Sequence, residues 1–326
     1  MPALTLVEAV RTALARAMAE DERVVLLGED IGRDGGVFRA TEGLLERFGE
    51  ERVIDTPLSE SLFVGLAVGL AAQGFRPVVE YQFMGFIYPA LDQLINHAAR
   101  LRNRTRGRLS CPLVVRAPYG AGIRAPEHHS ESMEALFAHI PGLRLVIPSS
   151  PKRAYGLLLA AIRDPDPVVF LEPKRIYRAM REEVTDDGRA LELDRAFILR
   201  PGRDVTLVTW GAMVPEALRA AEWASEEGVS VEVIDLATLR PYDADTLLES
   251  VARTGRCVIL HEAVRTGGFG AEVAAAVAEG ALFSLVAPVV RVTAYDTVVP
   301  LPRLEDAFLP DARRVREAIQ KVMSYR

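Results

Sequence analysis

The sequence predicts an α/β protein of two domains, each a largely parallel sheet flanked by helices. Three observations carry this. Apolar runs of strand length alternate with longer helical patterns, the rhythm of βαβ units. That rhythm stops at EEVTDDGRALELDRAFILRPGRD (182–204), which is dense in charge and has no period, and then restarts. Finally, the 326 residues amount to two domains at roughly 100–200 residues each. The expected division is a first domain over 1–182, a linker arm over 183–202 and a second domain over 203–326.

The N-terminal stretch has an amphipathic helical pattern, with Thr5 and Glu8 spaced as a capping box. Next come the strand RVVLLG (23–28), a helix rich in small residues (60–74) and the strand RPVVEYQF (76–83). A helix over 88–105 follows, then strands at 112–118, 144–150 and 167–173, with a helix beginning near 151 between the last two. In the second half, strands at 204–211, 229–236, 256–263 and 288–296 alternate with helices at 214–228, 243–255 and from the glycines of GGFGAE (267–272).

Composition excludes several classes. With 49% hydrophobic residues the chain can bury substantial cores, and a net charge of −6 without a basic block argues against nucleic acid or an anionic membrane. No apolar run reaches the roughly 20 residues that span a bilayer. No signal peptide is visible, so a cytoplasmic protein is expected. Cys111 and Cys257 lie far apart among apolar neighbours and read as buried thiols.

Four segments bear on chemistry. GRDGGVF (32–38) and GGFGAE follow strands, but neither fits G-x-G-x-x-G and no Walker motif exists. Tight turns and close helix packing are the better reading. DTPLSE (55–60) leaves a strand and enters the small-residue helix. There Ser59 suits the N-cap, and Glu60 sits in the first turn, where the helix dipole favours a carboxylate. Gly65 and Gly69 would let another backbone approach that helix, holding Glu60 in a dry place where its pKa can rise. EYQFMGFIYPALDQ (80–93) is crowded with aromatics, and Phe86, past the strand end, suits ligand stacking as well as core filling. PEHHSES (126–132) contains His128 and His129, with His139 further on, from a chain holding 5 histidines. Adjacent side chains diverge and no thiolate cluster completes a metal set. An acid–base catalyst and a pair of solvated loop residues both fit.

Taken in order, LGED (27–30), GGVFRATEGL (35–44), DTPLSE, EYQFMGF, PEHHSE, PVVFLEPKRIYR (167–178) and HEAVRTGGFGAE (261–272) resemble the beta subunits of thiamine-diphosphate-dependent 2-oxo acid dehydrogenases. The resemblance spans nearly the whole chain. It implies a pyrimidine-binding first domain and a transketolase C-terminal-type second domain. It also implies that Glu60 hydrogen-bonds the cofactor's aminopyrimidine: a proton shared between carboxylate and ring nitrogen favours the imino tautomer, whose nitrogen deprotonates the thiazolium carbon. Glu29, Leu58, Ser59, Gln82 and Phe86 are then cofactor neighbours. His129 becomes a catalytic proton donor or acceptor in acyl transfer, with Phe83, Phe86, Glu127, His128 and Ser130 beside the substrate.

The G-D-G motif that holds Mg²⁺ on the diphosphate in this class is missing; DDGRA (186–190) is the nearest sequence. The chain is therefore expected to hold no Mg²⁺ and to share thiamine diphosphate with an alpha subunit in an alpha2beta2 tetramer. A lipoyl acyltransferase core is its further partner. The resemblance also implies K⁺ near Leu113, Val114, Ala161, Asp164 and Asp166, although both aspartates equally suit turns around Pro165. Details of VIPSSP, LEPKRIYR and HEAVRTGGFG favour a branched-chain 2-oxo acid as substrate, with pyruvate or acetoin as alternatives. A non-catalytic assembly subunit is the reading from another class.

Overall fold

The computed structural model describes residues 3–325, which fall into two compact units. One comprises 3–119 and 136–193, the other 120–135 and 194–325. In chain order the strands are β1 (Ala3–Leu4), β2 (Val24–Gly28), β3 (Val53–Asp55), β4 (Arg76–Glu80), β5 (Val114–Tyr119), β6 (Arg144–Val146), β7 (Val168–Pro173) and β8 (Glu182–Glu183). They continue as β9 (Phe197–Arg200), β10 (Val205–Thr209), β11 (Val231–Asp235), β12 (Thr238–Arg240), β13 (Cys257–Val264) and β14 (Val290–Ala294). The helices are α1 (Leu6–Glu20), α2 (Leu44–Phe48), α3 (Glu60–Ala72), α4 (Leu101–Arg104), α5 (Glu134–Ala138) and α6 (Pro151–Arg163). After them come α7 (Val214–Glu226), α8 (Ala244–Thr254), α9 (Gly270–Gly280), α10 (Glu305–Phe308) and α11 (Ala312–Met323).

In the first unit the strands run in the order β6-β7-β5-β4-β2-β3, and every one of these neighbours is parallel. Val24–Gly28 and Val114–Tyr119 are buried throughout, as strands covered on both faces must be. Helix α1 starts with the expected capping box: the Thr5 hydroxyl accepts from the Glu8 N–H, and Glu8 accepts from the Thr5 N–H at 2.7 Å. Its apolar face, including Leu6, Val10 and Leu14, is fully buried, and α1 packs on α6. From β2 the chain passes to β3 on one side, and then to β4 on the other. The carboxyl ends of β2 and β4 thus flank a topological switch point, where open α/β sheets bind ligands.

Those ends are held from within by a charge network absent from the sequence reading. The Arg116 guanidinium, on β5 and fully buried, donates to both Glu172 carboxylate oxygens at 2.7 and 3.0 Å and to Glu80 at 2.7 Å. Tyr177 adds a 2.6 Å hydrogen bond to Glu172. Burial pushes the Glu80 pKa up against the pull of Arg116, and burial together with Glu172 pushes the Tyr177 phenol well up. Gly36, at φ +79, lies where a Cβ would stand 2.6 Å from the Glu80 Oε1. Only glycine therefore lets the 31–36 turn close over the network.

In the second unit the order is β14-β13-β10-β11-β9, parallel except for the antiparallel edge strand β9. The glycines of GGFGAE serve packing, as the sequence suggests: a Cβ on Gly270 would lie 2.6 Å from the His261 ring. That ring stacks on Trp210 at 5.3 Å, and burial pushes its pKa down to about 3.

Several expectations need correction. The helix expected at 88–105 is broken into a 3-10 stretch (Met84–Ala90), a π turn (Gln93–His97), another 3-10 turn (Ala98–Arg100) and α4. Pro89 cannot donate to an α-helical ladder, and the hydrogen-bond register shifts around it. The arm at 183–202 is not a free linker. Its first part lies on the first unit, where Asp186 meets Arg16 at 2.8 Å and Leu191 packs on Gly156. Its last part forms β9. The histidine loop, expected inside 1–182, clusters with the second unit for the reason given below. Helix α11, with Val315, Ile319 and Val322 buried, was not foreseen.

Replacing Arg116 with Met strands two buried carboxylates. Urea unfolding should show a loss of about 3–5 kcal/mol, whereas Arg23→Ala, at an exposed pair with Asp21, should leave the unfolding midpoint nearly unchanged.

Candidate functional site

The crevice of the first unit is built from residues just beyond the carboxyl ends of β2, β3 and β4. Glu29 follows β2 directly and is 7% exposed, and its Oε1 has no hydrogen-bond partner. Desolvation raises its pKa first, and the neighbouring Glu60 and Asp30 carboxylates push the same way. A hydrogen bond from the Ser59 backbone works against them. Tyr81, following β4, is 1% exposed with an unpartnered hydroxyl, and burial, Glu60 and Glu29 raise its pKa well above the usual phenol value. Glu29, Glu60 and Tyr81 therefore form one electrostatically coupled group, two of whose members carry polar atoms that no group among the described residues satisfies. Buried polar atoms of that kind call for a ligand or ordered water.

Glu60 is the first residue of α3, as the sequence indicates, and is half-buried. Of the two carboxylates Glu29 is the drier. Ser59 occupies the N-cap with φ −164° and ψ 88°, and its side chain makes no capping hydrogen bond; its backbone N–H donates to Glu29 instead. Leu58 is 82% exposed. The close backbone approach expected at α3 does not occur among the described residues: Gly65 faces the Gln93 side chain and Gly69 has nothing within 4 Å.

Turn geometry fixes the rim. The Gly36 N–H donates to the Asp30 carbonyl at 2.8 Å, and the Gln82 amide donates to the Asp30 carboxylate at 2.9 Å. Asp55, ending β3, accepts from the Gly32 N–H at 2.6 Å. An aromatic wall runs alongside, from Phe86 to Phe83 at 6.0 Å, Phe38 at 5.5 Å and Tyr177 at 5.2 Å. The buried Lys174 ammonium lies 5.7 Å from the Phe83 ring. The structure thus brings Glu29, Ser59, Glu60, Gln82, Phe83 and Phe86 to one end of one sheet. Sequence reasoning gave Tyr81 no chemical role and missed Lys174 entirely; a tyrosine and a lysine just past apolar strands were the available signals.

The second unit carries the histidine loop. Glu127–His129 form a 3-10 turn, with the His129 N–H donating to the Pro126 carbonyl at 3.0 Å. The buried Ser130 hydroxyl donates to the same carbonyl at 3.0 Å. The His128 and His129 rings diverge, 5.9 Å apart at 77°. The loop is fixed by two carboxylates of its own unit. Glu305, 1% exposed, accepts from the Gly122 and Arg124 N–H groups at 2.9 Å each, and Glu262 accepts from Ala121 at 3.3 Å. These clamps explain why the loop belongs with this unit, and neither was foreseen.

No cluster of three or more histidine, cysteine or acidic side chains suited to a metal occurs among the described residues. At the expected K⁺ position Asp164 meets Arg144 at 3.1 Å, and Asp166 meets Arg102 at 2.6 Å. The Leu113 carbonyl accepts from Val168 at 2.9 Å, while Val114 and Ala161 are buried. The aspartate side chains there thus serve arginines, leaving only backbone carbonyls for a cation. Both cysteines are buried thiols, as expected, with pKa values pushed up to about 12 by desolvation. No helix among the described residues is long and apolar enough to cross a membrane.

A Gln at position 29 keeps the shape and removes the charge. Because Glu29 has a raised folded pKa, its ionisation opposes folding as pH rises from the usual carboxylate range through that pKa. Glu29→Gln should therefore raise the melting temperature at pH 7 to 8 and lose that advantage toward pH 4, in thermal denaturation across pH. Glu305→Ala should cost about 1–3 kcal/mol in denaturant unfolding and speed amide exchange at Gly122 and Arg124.

Comparison with known proteins places both units. Residues 3–180 match the transketolase pyrimidine-binding domain, and residues 194–315 the transketolase C-terminal domain. The pyruvate dehydrogenase E1 component subunit beta of Acholeplasma laidlawii is 49% identical over 326 residues, covering 100% of both chains. That of Bacillus subtilis is 47% identical over 325 residues, again with 100% of each covered. Among solved structures, a split-gene transketolase described as an inactive beta4 tetramer aligns with a TM-score of 0.81 at 25% identity over 100% of both chains.

Proposed function

Because this chain belongs to the beta subunits of the thiamine-diphosphate-dependent 2-oxo acid dehydrogenases, we propose that the crevice at β2 and β4 holds the pyrimidine end of that cofactor for decarboxylation of pyruvate. The observation that carries the site is the Glu29–Glu60–Tyr81 group, with its unsatisfied buried atoms beside an aromatic wall. When bound, the cofactor supplies a carbon nucleophile and an electron sink for the 2-oxo acid.

The residues present fit that group. Phe86 and Phe83 offer apolar faces to a flat ring. The Tyr81 hydroxyl and the Glu29 carboxyl, kept protonated more readily by burial, offer donors at the crevice floor. Glu60, at the positive end of α3, is placed to hold a proton against a ring nitrogen. Burial first, and then the Glu60 and Asp30 charges, favour the protonated form of Glu29. His129 is the acid–base group for transfer of the acyl unit to a lipoyl partner, and Glu127, His128 and Ser130 shape its loop.

The pyruvate assignment reverses the sequence-based preference for a branched-chain substrate. Support comes from relatives bearing the pyruvate dehydrogenase name at 49% and 47% identity over the full chain. Phe86, where many branched-chain relatives carry tyrosine, agrees. The missing G-D-G supports an alpha subunit as owner of the Mg²⁺ and diphosphate half, in an alpha2beta2 enzyme serving an acyltransferase core in the cytoplasm. K⁺ around 161–166 is retained only as a carbonyl-bound ion.

Co-expression with an alpha-type subunit tests the reading. With Mg²⁺ and thiamine diphosphate, kcat/KM for pyruvate should exceed that for 3-methyl-2-oxobutanoate; the reverse order would defeat the pyruvate assignment. Glu60→Gln should lower kcat by about 10²-fold or more with either substrate, and undiminished turnover would favour a purely assembling subunit. His129→Ala should slow acylation of the lipoyl domain more than release of CO2 into an artificial acceptor assay.

A further inference from the structure

Away from the crevice, the first unit carries an open cleft of about 280 Å³ lined by Arg11, Arg39, Arg178 and Arg181 together with Glu8 and Glu42. Two of the guanidinium groups are matched. Arg11 meets Glu42 at 2.7 Å, and Arg181 meets Glu8 at 3.2 Å. The other two donate only to backbone carbonyls, Arg39 to that of Asp34 and Arg178 to that of Phe38 at 2.9 Å. No carboxylate among the described residues reaches either, so the cleft keeps two positive charges without a counter-charge.

The backbone gives a second reason to look here. Arg39 sits at φ +65, in the left-handed region, where its N–H donates to the Gly36 carbonyl at 3.0 Å. Glycine or asparagine would occupy that position more cheaply, yet it carries a long cation that lines the same cleft as Arg178. Arg39 and Arg178 also directly follow Phe38 and Tyr177, whose rings touch at 5.2 Å. Both side chains are solvent-exposed, but each stems from a residue next in sequence to one of these packed rings.

We propose that this cleft binds the phosphate group of a small anion. Guanidinium forks match phosphate oxygens in pairs and do not lose their protons at any physiological pH. Two unmatched charges suit a dianion better than a single carboxylate. The volume, about 280 Å³, falls just below the roughly 300–1,000 Å³ common for ligand pockets and accommodates a phosphate with part of a small organic body. The shared chemistry is the phosphate, whether free or carried by a nucleotide.

Calorimetric titration of the full chain with inorganic phosphate, against NaCl at equal ionic strength and pH 8, tests this. One saturable site is expected, for which ADP competes. The double substitution Arg39→Gln, Arg178→Gln should weaken it at least tenfold. Arg23→Gln, at a distant exposed arginine, should leave it unchanged. If the double variant does not fold, each single substitution should weaken binding at least threefold. The proposal is overturned by non-saturable uptake, by binding that survives in the folded variants, or by ADP binding that phosphate does not displace.

Discussion

The first unit depends on one buried ion network. Arg116 on β5 bridges Glu80 at the end of β4 and Glu172 on β7, and all three side chains are almost wholly buried. Such a network is costly to desolvate and is stable only if each charge is matched with good geometry. Bidentate contact with Glu172 and the Tyr177 hydrogen bond meet that condition. What the network secures is position. It locks the carboxyl ends of neighbouring parallel strands in register, and Gly36 folds the 31–36 turn onto Glu80. Glu29, Tyr81 and Gln82 hang from these ends, so the crevice inherits its geometry from Arg116.

A second consequence is electrical. The network sets one guanidinium against two carboxylates, with burial raising the Glu80 pKa, whereas Glu29 is raised by burial and by the like charges of Glu60 and Asp30. The same chain lacks any motif for a diphosphate-bound metal.

Much of this was legible from sequence, for identifiable reasons. Period and apolar run length gave the strands and most helices, because a parallel strand buried on both faces can only read as a continuous apolar run. The capping box at Thr5 and Glu8 was local and therefore readable. Glu60 at the head of α3 was readable for the same reason. What failed was non-local. Pairing of Arg116 with residues 36 and 56 positions away, and the clamp of Glu305 on a loop more than 180 residues earlier, leave no periodic trace. The broken helix after Pro89 shows how proline outweighs an apparently helical composition. The dry carboxylate was misplaced to Glu60, because the burial of Glu29 depends on how two distant strand ends meet.

The most direct test of the account follows proton transfer itself. In the assembled enzyme, the rate at which the cofactor's thiazolium carbon exchanges its proton for deuterium reads the step assigned to Glu60 without requiring substrate or turnover. Glu60→Gln is predicted to slow that exchange by about 10²-fold or more, with the cofactor still bound. An exchange rate equal to that of the unaltered enzyme, at full cofactor occupancy, would contradict the placement of the catalytic carboxyl at the head of α3.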